Sequence, residues 1–359
     1  MDLRSRVSKF SNVKIASCIA LIAGLPLIMA FGEIVPVTTA PVGYVKMGAK
    51  SPAEGVPTNS DYYMAVPLLK PALLRGKVST IVGNTISISE ATAPISLSGP
   101  HYFIIESGSK NGLIALISSS TTNSVTIELQ PGETFSEIVA GNKISITPAW
   151  TLKSLFKEIL PAGTKILMWS NSNTMGQPPP DLIYQFDGTD WNSVRNNAIS
   201  NDVVVYPGET FIVRTGSQSI PKLTMTGEAS QIKSRVPILG FNVPTFSYQS
   251  QWLHYFTSTK ETILTSGIIS AQQSQEGFAV YHNFTPAPNR TADYNCYFWG
   301  GYIYSSADSE GNFYFEDSYP IDSNFKFDPA ISGMIFIRAG IGLIADHIWS
   351  DFPDYLPIH

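Results

Sequence analysis

Gly76-Lys77-Val78-Ser79-Thr80-Ile81-Val82-Gly83-Asn84-Thr85-Ile86-Ser87-Ile88-Ser89 decides the fold class. Val78 and Thr80 alternate with Lys77 and Ser79, Gly83-Asn84 turns the chain, and Ile86 and Ile88 alternate with Ser87 and Ser89. A period of two sends successive side chains to opposite faces, so this is a β-hairpin with one face on a core. The pattern continues outward. Residues 101–106 and 113–118 flank the turn-rich Ser107-Gly108-Ser109-Lys110-Asn111-Gly112. Val125, Ile127 and Leu129 alternate with Thr126, Glu128 and Gln130, and Ile144 and Ile146 follow Ala140-Gly141-Asn142. About six short strands with short loops and no helix between them predict an all-β module over residues 60–150, a small barrel or a sandwich.

Before this module, residues 33–59 carry Pro36, Pro41, Pro52 and Pro57 and read as an extended lead-in with one strand at 42–47. After it, Leu152, Leu155, Phe156 and Ile159 are spaced as one face of a short helix over 151–159, and Pro161 stops it. The helix leads a second β module over residues 151–250, a meander or sandwich with strands at 165–169, 182–186, 203–206, 211–214 and 223–226. Asp187-Gly188 reads as its tight turn rather than as a calcium ligand set. Residues 251–359 form a third, aromatic-rich β module, a possible divergent copy of the second. The repeated phrase is Pro207-Gly208-Glu209-Thr210-Phe211-Ile212-Val213-Arg214, echoed by Ile335-Phe336-Ile337-Arg338 and, in its first half only, by Pro131-Gly132-Glu133-Thr134-Phe135. Arg214 and Arg338 are repeat-equivalent positions in this reading, expected as ion-paired strand ends.

Arg4, Arg6, Lys9 and Lys14 form a basic start, an apolar run spans residues 15–31, and Ala30-Phe31-Gly32 offers small residues for cleavage. That order is the order of a secretory signal peptide over residues 1–32, which exports the chain across an inner membrane and leaves no stable membrane span. An uncleaved anchor helix is the alternative, although Gly24 and Pro26 interrupt the run. Cys18 lies inside this segment, so Cys296 is left alone and neither a disulfide framework nor a cysteine zinc site is available. Only 14% of the 359 residues are charged and the formal net charge is -5. A basic patch is missing, which argues against nucleic acid as a partner.

The familiar chemistry-bearing motifs are absent. The five histidines, at 101, 254, 282, 347 and 359, make no zinc-hydrolase spacing, and Asp346-His347 lacks a nucleophile elbow. No phosphate-binding glycine pattern occurs. Asp308, Glu310, Glu316, Asp317 and Asp322 are the densest acidic group and read as turn and edge charges, though a carboxylate pair meeting across strands stays open. Tyr294, Tyr297, Trp299, Tyr302 and Tyr304 are the candidate ligand or assembly surface, with core packing as the alternative. No catalytic residue, metal ligand or cofactor is expected.

Several stretches resemble a family of uncharacterised secreted proteins that occur as many paralogues in environmental bacteria. They are Pro41-Val42-Gly43-Tyr44-Val45, Ala65-Val66-Pro67-Leu68-Leu69-Lys70-Pro71, Gly83-Asn84-Thr85-Ile86-Ser87-Ile88, Pro148-Ala149-Trp150-Thr151-Leu152, Glu209-Thr210-Phe211-Ile212-Val213-Arg214 and Ile335-Phe336-Ile337-Arg338. The resemblance implies organisation and location but no activity. The expectation is a secreted or cell-surface protein without catalysis, structural or assembling with itself or with other surface and matrix components. The alternatives are a carbohydrate-binding protein that stacks polysaccharide on its C-terminal aromatics and, behind it, a glycoside hydrolase.

Overall fold

The computed structural model describes residues 42–47, 55–89, 95–156, 160–170, 179–221, 223–253, 256–257, 261–262, 266, 276–282, 293–298, 302–304, 319–320, 326–327 and 332–351. Residues 1–32, the expected signal peptide, lie outside them. The all-β expectation holds: the described elements are strands, apart from one short helix. Among the described residues no helix is long and apolar enough to cross a membrane.

The first strands are β1 (Val42–Met47) and β2 (Asp61–Met64). A closed six-stranded barrel follows, built from β3 (Leu74–Val82), β4 (Thr85–Ser89), β5 (His101–Ile105), β6 (Ile114–Ser120), β7 (Ser124–Glu128) and β8 (Lys143–Pro148). Its order is β3-β4-β7-β6-β5-β8, and β3 closes it by pairing Leu74 with Ile146 through Lys77 with Lys143. Closure removes the sheet edges that six short strands would otherwise expose. Gly83 opens the β3–β4 turn at φ 62°, the left-handed geometry that a two-residue hairpin wants at that place. The register shifts between Val78 and Thr80. This bulge corrects the simple alternation: Val78 faces the barrel core, Thr80 is exposed, and Ile81 takes the next inward position. Strand β5 is buried along its whole length. Phe103 and Ile105 fill the barrel, while Tyr102 and Ile104 pack outward against Leu69, Ala149, Ile232 and Phe256.

Helix α1 (Leu152–Phe156) buries Leu152, Leu155 and Phe156, the expected stripe; Ile159 lies outside the described residues. Thr151 caps it. The Ser154 N–H donates to Thr151 Oγ1 (3.2 Å) and the Thr151 N–H donates back to Ser154 Oγ (2.9 Å), a reciprocal capping pair. The helix packs on a five-stranded antiparallel sheet of β9 (Lys165–Met168), β10 (Leu182–Phe186), β11 (Trp191–Ser193), β12 (Phe211–Arg214) and β2, in the order β11-β10-β9-β12-β2. Phe156 meets Trp191 at 5.7 Å and Phe211 edge-on at 6.3 Å. Residues 61–64, grouped by sequence with the first module, therefore sit in the second sheet. Residues 203–206 are not a strand: Val204 and Pro207 make isolated bridges to Thr151 and Val66. β13 (Leu223–Glu228) pairs with β1.

The remaining chain forms β14 (Ser234–Ile238), β15 (Phe241–Leu253), β16 (Glu261–Thr262), β17 (Glu276–His282), β18 (Asp293–Phe298), β19 (Tyr302–Tyr304), β20 (Tyr319–Pro320), β21 (Lys326–Phe327), β22 (Ser332–Ile344) and β23 (His347–Asp351). A six-stranded antiparallel sheet runs β15-β22-β17-β18-β19-β20, while β14 pairs with β23 and β16 with β21. A bulge between Val243 and Ser247 lets β15 carry Pro244 without ending.

Gly76 marks a tight place in the barrel wall. A Cβ there would lie 2.9 Å from both Ile88 Cγ2 and the Ser89 carbonyl oxygen. The backbone atom cannot rotate away, so Gly76→Ala is expected to destabilise the chain by about 1–3 kcal/mol, measured by urea unfolding.

Candidate functional site

The two full copies of Pro-Gly-Glu fold alike and meet at one cleft. In each, the Glu N–H donates to the carbonyl three residues back: Glu133 to Gln130 and Glu209 to Tyr206, both at 3.1 Å. Gly132 and Gly208 both sit at φ 83°. Pro at the second position and a left-handed Gly at the third define a type II turn. Gln130, Pro131 and residues 206–209 line the cleft, which Arg235, Val236, Pro237, Leu239 and residues 251–253 complete. Its volume, about 30 Å³, holds roughly one water. The phrases then diverge. Phe211 enters β12 and is fully buried, whereas Phe135 packs on the barrel core from outside any strand.

Electrostatically the two glutamates are opposites. Glu133 is buried and accepts from Arg235 through both Nε and Nη2 (the latter 3.0 Å) and from Lys110 Nζ at 3.3 Å. Lys110 also donates to Thr134 Oγ1 at 3.3 Å. Glu209 accepts from the Tyr206 N–H at 3.0 Å, within its own turn. Burial pushes its carboxyl up to about 7, opposed by that one hydrogen bond. Tyr206 is pushed up to about 12, first by burial and then by Glu209 and Glu128. Burial likewise raises Tyr102, whose hydroxyl donates to the Val205 carbonyl at 2.6 Å. These groups hold barrel, second sheet and C-terminal layer together.

Arg214 ends β12 and makes a two-point pair with its cross-strand neighbour Asp61, Nε to Oδ1 at 2.7 Å and Nη2 to Oδ2 at 2.6 Å. That hydrogen bonding is the first cause of its raised pKa. Arg338 is placed differently, inside the long β22 rather than at its end. It is buried, stands opposite Gln249 and Glu276 in register, and donates to the carbonyls of Leu239 (2.6 Å) and Ala345 (2.9 Å).

Of the candidate aromatics, Trp299 lies outside the described residues. Tyr294 and Tyr297 belong to β18, and Tyr302 and Tyr304 to β19. Register pairs Cys296 with Tyr304 and Phe298 with Tyr302. Strand alternation then puts positions 294, 302 and 304 on one face and 297 on the other, so these positions do not make one row. A different aromatic group was not anticipated: Trp252 of β15 stacks between Tyr63 (5.4 Å, 18°) and Trp169 (4.4 Å, 16°). The acidic group at 308–322 lies outside the described residues. Asp187 takes the turn role, accepting from the N–H groups of Thr189 and Asp190, both at 2.8 Å. Those bonds hold its carboxyl below the usual range. Asp346 accepts from the Gly240 N–H (2.5 Å), while His347 sits edge-on to Phe336. Among the described residues no group of three or more His, Cys, Asp or Glu side chains could hold a metal ion.

Lys110, Glu133, Glu209 and Arg235 escaped the sequence reading as a cluster. The recurring Pro-Gly-Glu is the one signal the sequence carries for it, and by itself it specifies only a turn. Glu133→Gln leaves Arg235 and Lys110 facing a neutral amide in a buried site. It is expected to cost about 3–5 kcal/mol in urea unfolding, far more than the loss of an exposed pair.

No protein-family model, no curated protein and no solved structure matches this chain.

Proposed function

We propose that the chain is an exported, non-enzymatic structural protein that acts at the cell surface or outside the cell by associating with itself or with other surface components. One observation carries this reading: among the described residues the most buried ion pairs are closed on themselves. Glu133 is held by Arg235 and Lys110, and Asp61 by Arg214. The cleft where the layers meet is small. Such an interior serves cohesion, which leaves the outer surface to do the work. Apolar side chains stand exposed on strands there, among them Val42 (78%) and Tyr44 (67%) on β1. A strand bearing such residues is suited to strand-to-strand association.

Positions 294, 302 and 304 support a second reading. Three tyrosine positions share one face of adjacent strands by register, a spacing that suits stacking on a polysaccharide.

Sedimentation velocity over a wide concentration range tests the first reading. Self-association is expected, and a Val42→Ser, Tyr44→Ser double variant is expected to need a higher concentration for it. A chain that stays monomeric throughout and binds neither cells nor matrix overturns the proposal. Glycan binding that Tyr302→Ala and Tyr304→Ala abolish would transfer the assignment to the second reading.

A further inference from the structure

Two identical turns face one cleft, yet among the described residues only one of their carboxylates meets a cation. Arg235 lines the cleft but directs both Nε and Nη2 to Glu133, and Lys110 is occupied by Glu133 and Thr134. Glu209 keeps a single hydrogen bond, from the Tyr206 N–H. We propose that Glu209 is a proton-operated latch: neutral, it seats its turn against residues 235–239 and 251–253, and ionised, it opens that seam to water.

Space and linkage carry the inference. An ionised carboxylate without a cation needs several hydration partners, and the cleft holds about one water. The ionisable groups around it offer no relief. They are Tyr102 on β5, Tyr184 on β10 and Tyr206 in the same turn, with Arg235, paired to Glu133, on the cleft wall. Glu128 adds negative charge near Tyr206, and Asp346 stands behind Gly132. The seam also has a lever. Thr210, the next residue, donates its hydroxyl to the Leu253 carbonyl at 2.7 Å, so movement of the turn pulls on the end of β15.

The sign follows from the raised carboxyl. An unfolded Glu209 loses its proton near 4.5, whereas the folded one holds it to about 7. The folded chain therefore binds more protons between those values. Stability from the neutral carboxyl is complete below about 4.5 and drains away as the pH rises through about 7.

Native-state hydrogen exchange on the full chain, corrected for intrinsic rates, tests the latch at about pH 5 and about pH 8. Protection of residues 235–253 is expected to fall by about tenfold or more in the wild type. In Glu209→Gln the two pH values should give equal protection. Glu133→Gln should be less protected at both and keep the wild-type difference, which separates the latch from general weakening. Equal wild-type protection at both pH values, or a pH difference that survives in Glu209→Gln, overturns the proposal. If the variant does not fold, isotope-edited infrared spectroscopy of the wild-type carboxyl decides: titration near 7 supports the latch and titration near 4.5 overturns it.

Discussion

A carboxylate removed from water must find positive charge, and Glu133 finds it in Arg235 and Lys110. The three residues come from far apart: the turn after β7, the loop between β5 and β6, and β14. Satisfying one buried charge therefore fixes the C-terminal layer against the barrel. Neighbouring bonds follow the same course. The Lys233 N–H donates to Asn111 Oδ1 at 3.2 Å, and Gly132 leaves Pro237 and Leu239 room to approach, where a Cβ would be 3.3 Å from each. The second sheet is tied in by polar tips on apolar bodies. Tyr102 reaches the Val205 carbonyl, and Trp150 Nε1 donates to the Leu68 carbonyl at 2.7 Å.

The local part of this architecture is legible in the sequence because its causes are local. Alternation over residues 76–89 marks a hairpin, the 152–156 stripe marks a helix face, and Asp187-Gly188 marks a turn. Strand β12 ends at Arg214 as read. What failed depends on partners distant in the chain. The bulge after Val78 inverts the parity that alternation assigns to Thr80. Strand β15 is 13 residues long, yet Pro244, Gln249 and Gln251 mask it; tertiary packing buries Gln249 and Ser250, which no local pattern foretells.

The repeated turn shows the limit most directly. Pro-Gly-Glu-Thr-Phe folds into the same turn twice, with the same φ at its glycine. Nothing within those five residues separates the paired Glu133 from the protonatable Glu209. Arg235, 102 residues from Glu133, makes the difference. Sequence similarity predicted the backbone here, and the tertiary fold decided the chemistry.

Strand β2 lies before the barrel in the chain but pairs with β12 after it, Asp61 opposite Arg214 across 153 residues. The barrel is thus inserted into the second sheet. Its hairpins close over short loops and can form early, whereas the β2–β12 pair must wait until the intervening chain has been gathered in. Until then Tyr62 and Met64, both buried in the finished sheet, face solvent. The slowest step of folding then falls at that seam, and an emerging chain is most exposed to misassociation there.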